Sequence, residues 1–156
     1  MLIYNEPDVL TSLNRDAPLT AAQMSAQMAI WPKEVAQGIK QSFVIQIEPT
    51  GEIIGLVELD PIKAKVATAA LTIFIGRAHR RQLFAQEALQ AVLDWGIDVV
   101  HLSRIDGVVM RGNTASMALL RAVGMTDRGE MPGETRSHEP LVARLFTYSG
   151  KRRSKA

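Results

Sequence analysis

The chain has 156 residues, no cysteine and a net charge of +2. That length corresponds to about one domain, able to bury roughly 68–70% of its unfolded surface without a metal or disulfide staple. The missing cysteines exclude disulfides, thiolate metal sites and a cysteine nucleophile, and with no signal pattern and no apolar run near the ~18 residues of a membrane span, a cytoplasmic protein is expected.

Glu6 to about Leu13 reads as a short helix, and 14–18 as a loop. Thr20 is a natural N-cap for a helix from Ala21 through Ile30 or beyond, with Pro32 and Gly38 as interruptions. Phe43, Ile45 and Ile47 alternate onto one face of a strand. Pro49-Thr50-Gly51 is turn chemistry, and Ile53–Leu59 returns as the second hairpin strand, which Asp60-Pro61 is expected to end. Thr68–Ile75 is mostly apolar, as in a strand covered on both faces.

A basic turn follows. Arg77, His79, Arg80 and Arg81 crowd the start of the next helix, where backbone N–H groups point outward and the dipole is already positive. Cations there repel the helix end unless an anion sits among them, and phosphate is the usual guest. The alternative is a solvated basic loop. The helix itself sets Ala85, Ala88, Leu89, Val92, Gly96 and Val99 on one stripe. Arg104–Met110 is a strand, Asn113 caps a helix that closes at Gly124-Met125, and Leu141–Tyr148 is the last strand, preceded by a Gly-rich loop that holds Glu134. Residues 1–150 form one domain, and 151–156 a basic tail expected to be disordered.

The order strand, basic turn, helix, strand, helix over 71–126 resembles the GNAT acetyltransferase superfamily, and most closely the branch that acetylates the N-termini of ribosomal proteins. Arg80-Arg81-Gln82-Leu83-Phe84-Ala85 is similar to that family's acyl-CoA loop, Arg/Gln-x-x-Gly-x-Gly/Ala, with Leu83 in the place of the central glycine. Asn113-Thr114-Ala115-Ser116 resembles the branch's Asn-x-x-Ser helix start, and Asn5-Glu6-Pro7-Asp8-Val9 its first helix. The resemblance covers most of the chain and is strongest from Phe43 to Met125. It implies an α/β (α+β) acyl-CoA N-acyltransferase fold, with a mixed, mostly antiparallel central sheet flanked by helices. Only 1–4 precede the helix-like segment, so the family's first strand is expected to be short or missing. The exposed sheet edge left behind would suit a homodimer partner.

The resemblance further implies an enzyme that moves an acetyl group from acetyl-CoA to a primary amine, of a peptide N-terminus or a small molecule, by direct attack in a ternary complex. The acyl-CoA site it implies comprises Arg80, Arg81, Gln82, Leu83, Phe84, Ala85 and Gln86 in the loop and helix start. A backbone N–H near Phe74 and Ile75, where the strand splays from its neighbour, would polarise the acetyl carbonyl. Asn113 would lie beside the pantetheine arm, and Ser116 would be the acid for the departing thiolate. Many members use a tyrosine as that acid; its position here is Leu119. Leu83 leaves two outcomes: a loop at negative φ that still aims its amides at a pyrophosphate, or a side chain that crowds the site.

Glu58, Asp60 and Glu134 are the base candidates. Acceptor choice would come from the loops 31–41, 60–66 and 129–140, with Trp31 either a pocket wall or a half-buried anchor. His79, His101 and His138 lack metal-ligand spacing. The alternative function is a catalytically degenerate GNAT fold that binds a ligand or a partner. A lesser alternative is a nucleic-acid-binding module, resting on the arginine cluster and tail but short of aromatics for base stacking.

Overall fold

A computed structural model describes residues 3–13, 15, 17–48, 50–134 and 140–150. A six-stranded sheet is flanked by four α-helices among the described residues. In chain order the elements are α1 (Pro7–Ser12), α2 (Ala21–Ala36), β1 (Gln41–Ile47), β2 (Glu52–Lys63), β3 (Thr68–Ile75), α3 (Phe84–Asp98), β4 (Arg104–Met110), α4 (Thr114–Ala122), β5 (Thr126–Glu134) and β6 (Pro140–Tyr148). The strands lie in the order β1-β2-β3-β4-β6-β5. All neighbours are antiparallel except β3 and β4. This is the mixed, mostly antiparallel sheet expected. Ile3–Asn5 forms a 3-10 turn rather than a strand, so β1 is an edge among the described residues. The basic tail, 151–156, lies outside them.

Alternation sorts the side chains. Leu59, Leu71, Ile105 and Phe146 meet Leu89, Val92 and Leu93 of α3 in one core. α3 comes so close that a Cβ on Gly96 would stand 2.8 Å from Ile105 Cδ1. The other face of β1–β3 presents Ser42, Glu58 and Thr72 as one cross-strand row. Glu58 and Thr72 of that row line the larger of two cavities on the sheet.

Four expectations are corrected. Pro32 does not interrupt α2, which runs on to Ala36 and stops in a Schellman motif. There the Ile39 N–H donates to Glu34 O, the Gly38 N–H donates to Val35 O, and Gly38 takes φ +67. Met28, whose carbonyl loses its donor to Pro32, is half exposed, and water can serve it. Asp60-Pro61 does not end β2 either: pairing with β3 skips from Leu59 to Ile62, and a proline without an N–H fits such a bulge. The Gly-rich segment before the last strand is itself strand β5. Its irregular pairing between Asp127 and Glu130, with Gly129 at φ +97, erased the alternation by which strands are recognised. Val99 lies past the end of α3 and is exposed rather than part of its buried stripe.

Asp127 fastens that bulge. Arg144 of β6 donates to it at 3.0 Å, Arg121 of α4 at 2.8 Å, and the Gly129 N–H at 3.0 Å. Arg144 above all, then the Gly129 amide and Arg121, hold its carboxyl down at about 2. A lowered folded pKa contributes stability that is complete above the ordinary carboxylate value and fades as pH falls toward the folded one. Asp127→Asn is therefore expected to flatten the acid limb of a stability–pH curve between about pH 4 and about pH 2. Denaturant unfolding at stepped pH reads this directly.

Candidate active site

The parallel pairing of β3 and β4 ends at Leu71 and Gly107, yet both strands continue. β3 stays with β2 as far as Ile75, and β4 stays with β6 as far as Met110, so the sheet opens between them. A strand residue directs its N–H and C=O to the same side. The Gly76 N–H donates to Ile54 O at 2.8 Å, which turns alternate residues such as Phe74 toward β2. Ile75 turns the other way: its carbonyl accepts from Arg80 Nε at 3.0 Å, and its N–H faces the gap. Of the two candidates for a carbonyl-polarising amide, Ile75 has the suitable direction.

The gap holds a cleft of about 70 Å³ lined by Thr72, Ile73, Val108, Asn113, Ser116 and Leu119, among others. Asn113 is the N-cap of α4, as expected, its Oδ1 accepting from the Ser116 N–H at 3.1 Å. The Ser116 hydroxyl has no hydrogen-bond partner among the described residues, so it can serve the cleft.

At the mouth of the gap stands the basic turn. Arg77–His79 form a 3-10 turn, and α3 starts at Phe84 with Leu83 as its N-cap. Among the described residues no acceptor meets the amides of Arg81, Gln82, Leu83, Phe84 and Ala85. The Gln86 amide returns to Leu83 O. The four cations divide. His79 pairs with Glu52 at 3.0 Å, and Arg80 with Asp8 of α1 at 2.8 Å and Glu6 at 3.4 Å. Arg77 and Arg81 have no ion-pair partner among the described residues. Arg80 thus ties the turn to α1 and the strand end, while its neighbours' amides stay open. Gln82 braces the turn through Ala78 O at 3.4 Å. Phe84 and Ala85 pack their side chains on the core.

Leu83 does not keep the negative φ weighed for it. It adopts φ +66, the left-handed conformation a glycine would adopt, and its side chain is 74% exposed. Arg81 is left-handed as well, at φ +62. Strain of this kind in a non-glycine residue costs about 1–2 kcal/mol and is found where a loop must hold a particular shape. The leucine keeps the left-handed turn that a glycine would supply, with its side chain in solvent. Leu83→Gly is expected to raise the unfolding free energy by up to about 1 kcal/mol, the strain relieved less the entropy of glycine.

On the helical face of the sheet a second cavity, about 350 Å³, opens beside the first; Leu13, Thr72, Val108 and Met110 line both. Glu58 and Asp60 line it, as does Lys40, which the sequence did not single out. Lys40 is 4% exposed, donates to Glu58 Oε1 at 2.8 Å and Asp60 Oδ2 at 3.2 Å, and lies 4.9 Å from the centre of the Trp31 ring. Ser42 Oγ donates to Glu58 Oε1 at 2.8 Å. Burial opposes the Lys40 ammonium, but Glu58, and then Asp60, outweigh it and hold its pKa above the ordinary value. Trp31 covers this pair instead of walling the cavity. The Glu134 side chain and 135–139 lie outside the described residues.

The family model described as "Acetyltransferase (GNAT) domain" matches residues 1–126. The chain belongs to the GNAT acetyltransferase family. It is similar to the uncharacterized N-acetyltransferase p20 of Bacillus licheniformis, 27% identical over 144 residues, 92% of this chain and 78% of the relative. YoaA of Bacillus subtilis, also called an uncharacterized N-acetyltransferase, is 33% identical over 85 residues, 54% of this chain and 48% of the relative. The spermidine N-acetyltransferase of Vibrio cholerae, solved with CoA and spermine, has a TM-score of 0.79 over 93% of this chain and 85% of its own, at 20% identity. That last likeness shows the fold. A GNAT-type acetyltransferase is therefore the enzyme class. Among the described residues no helix is long and apolar enough to cross a membrane.

Proposed function

We propose that this GNAT-type acetyltransferase moves an acetyl group from acetyl-CoA to a primary amine by direct attack. The observation that carries the proposal is the meeting of three features at one gap: the outward Ile75 N–H, the Asn113–Ser116 helix start, and five unpartnered amides. Acetyl-CoA supplies the thioester whose carbon–sulfur bond is exchanged for a carbon–nitrogen bond. The amides of 81–85 and the Arg81 side chain bind its pyrophosphate, an anion suited to a helix N-terminus. The open edge of β3 takes the extended arm as a further strand would be taken. The Ile75 N–H donates to the acetyl oxygen as negative charge gathers there. Glu58 accepts the proton the attacking ammonium must shed, the Ser116 hydroxyl protonates the departing sulfur, and the second proton of the acylated nitrogen returns to the serine oxygen. The cavity beside Glu58 receives the acceptor, a small amine or a peptide N-terminus of the kind the ribosomal-protein branch modifies.

Calorimetry with acetyl-CoA and CoA, followed by thiol release over an amine panel, tests this. Micromolar binding with turnover on at least one amine is expected. Ser116→Ala should lower kcat about 10–100-fold while leaving the dissociation constant of acetyl-CoA unchanged. Binding without turnover on any amine would point to the degenerate, ligand-binding form of the fold. The proposal extends to assembly and location. β1 is an edge with Val44 59% exposed, and we propose that a second copy covers it; sedimentation showing a monomer at high micromolar concentration would overturn this. The lack of cysteine supports a cytoplasmic site.

A further inference from the structure

Arg15 lines the larger cavity with a buried Nε–H that no partner meets among the described residues. Its backbone is pinned by a bond from its N–H to Leu10 O at 2.9 Å, directly after α1. Its guanidinium carbon sits 5.2 Å from the centre of the Tyr4 ring, which in turn meets Phe74 of β3 edge-on at 5.5 Å. The Nε–H is buried without a partner, and among the described residues no carboxylate reaches the guanidinium. A buried donor without an acceptor costs about 1–3 kcal/mol, and Arg15 itself lines the cavity. A guanidinium fork matches a carboxylate in a bidentate pair.

The same cavity is also lined by Glu58 and Asp60 with Lys40 between them, two anions and one cation. The carboxylates attract an ammonium, and Arg15 attracts an anion. Among the described lining residues positive and negative charges balance. A polyamine would bring a second positive charge toward Arg15. A peptide N-terminus brings an amide where the fork asks for an anion.

We propose that the acceptor is a small amine that also carries a carboxylate, a free amino acid or close analogue, with Arg15 gripping the carboxylate and the amine turned toward Glu58 and the gap. This rests on the acetyl-transfer reading and narrows its acceptor.

The test uses the twenty standard L-amino acids, their primary amides and their decarboxylated amines, assayed by thiol release with acetyl-CoA. At least one amino acid should exceed its amide and its amine by tenfold or more in kcat/KM. Arg15→Gln should shrink that preference at least 30-fold through KM, and Arg15→Lys should restore part of it. Thermal melts of both variants establish that they fold. Amides or amines used as well as the acids, an equal loss on every acceptor in Arg15→Gln, or better use of phosphoethanolamine would each overturn the proposal. If no amine turns over, the transfer reading has failed separately. Calorimetry of the same amino acids on native and Arg15→Gln protein then decides the Arg15 site: binding lost with the arginine upholds it, and no binding to the native protein rejects it.

Discussion

Lys40→Met is expected to lower the unfolding free energy by about 3–5 kcal/mol, among the largest effects of any single change in this chain. The ammonium is almost wholly shielded from water and holds two carboxylates, of which Glu58 has a side chain only 11% exposed. Removing the cation leaves Glu58 buried with one remaining donor, Ser42 Oγ. The cost is that of a stranded anion more than of a lost attraction, so Lys40→Met with Glu58→Gln should recover at least about 1 kcal/mol over the single variant. Urea denaturation of the native chain, both singles and the double closes the cycle. The raised pKa carries its own signature. A folded pKa above the unfolded value gives stability that is complete below about 10.5 and is lost as pH rises through the higher folded value. The native chain should therefore weaken in strong base by a margin that Lys40→Met no longer shows.

Gln86→Glu should separate stability from binding. Position 86 is in the first turn of α3, next to the amides proposed to hold a pyrophosphate. A carboxylate there suits the helix dipole and should add about 0.3–0.5 kcal/mol to stability. The same charge set against a bound anion a few ångströms away should weaken acetyl-CoA about 10–100-fold. Calorimetry and a thermal melt on one preparation read both. Unaltered affinity would mean that the pyrophosphate lies elsewhere, and a reduced melting temperature would mean that the turn was damaged.

The residues that sequence reading located are those whose role is local. Thr20 and Gln23 form a reciprocal capping box three residues apart, and Asn113 caps α4 through Ser116. The stripe of α3 from Ala85 to Gly96 is a matter of helical period. Leu83 was legible as a departure, but which way its backbone would go was not, because left-handed geometry in a leucine depends on what surrounds it. β5 was illegible for the same reason that it is useful: the bulge that lets Asp127 gather Arg121, Arg144 and the Gly129 amide also breaks the two-residue period.

Patterns within one or two turns of chain reveal every long element except β5, together with the cap of α4 and the family they resemble. Folding settles which side chains answer one another. Arg80 meets Glu6 across 74 positions, and Lys40 meets Asp60 across 20, in a register settled by the hairpin and its bulges. Arg15 is one arginine among many until folding lays it on Tyr4 beside the larger cavity, where no carboxylate among the described residues reaches it. Burial turns such meetings into chemistry, since a charge withdrawn from water must find a partner in the fold or wait for one in the substrate.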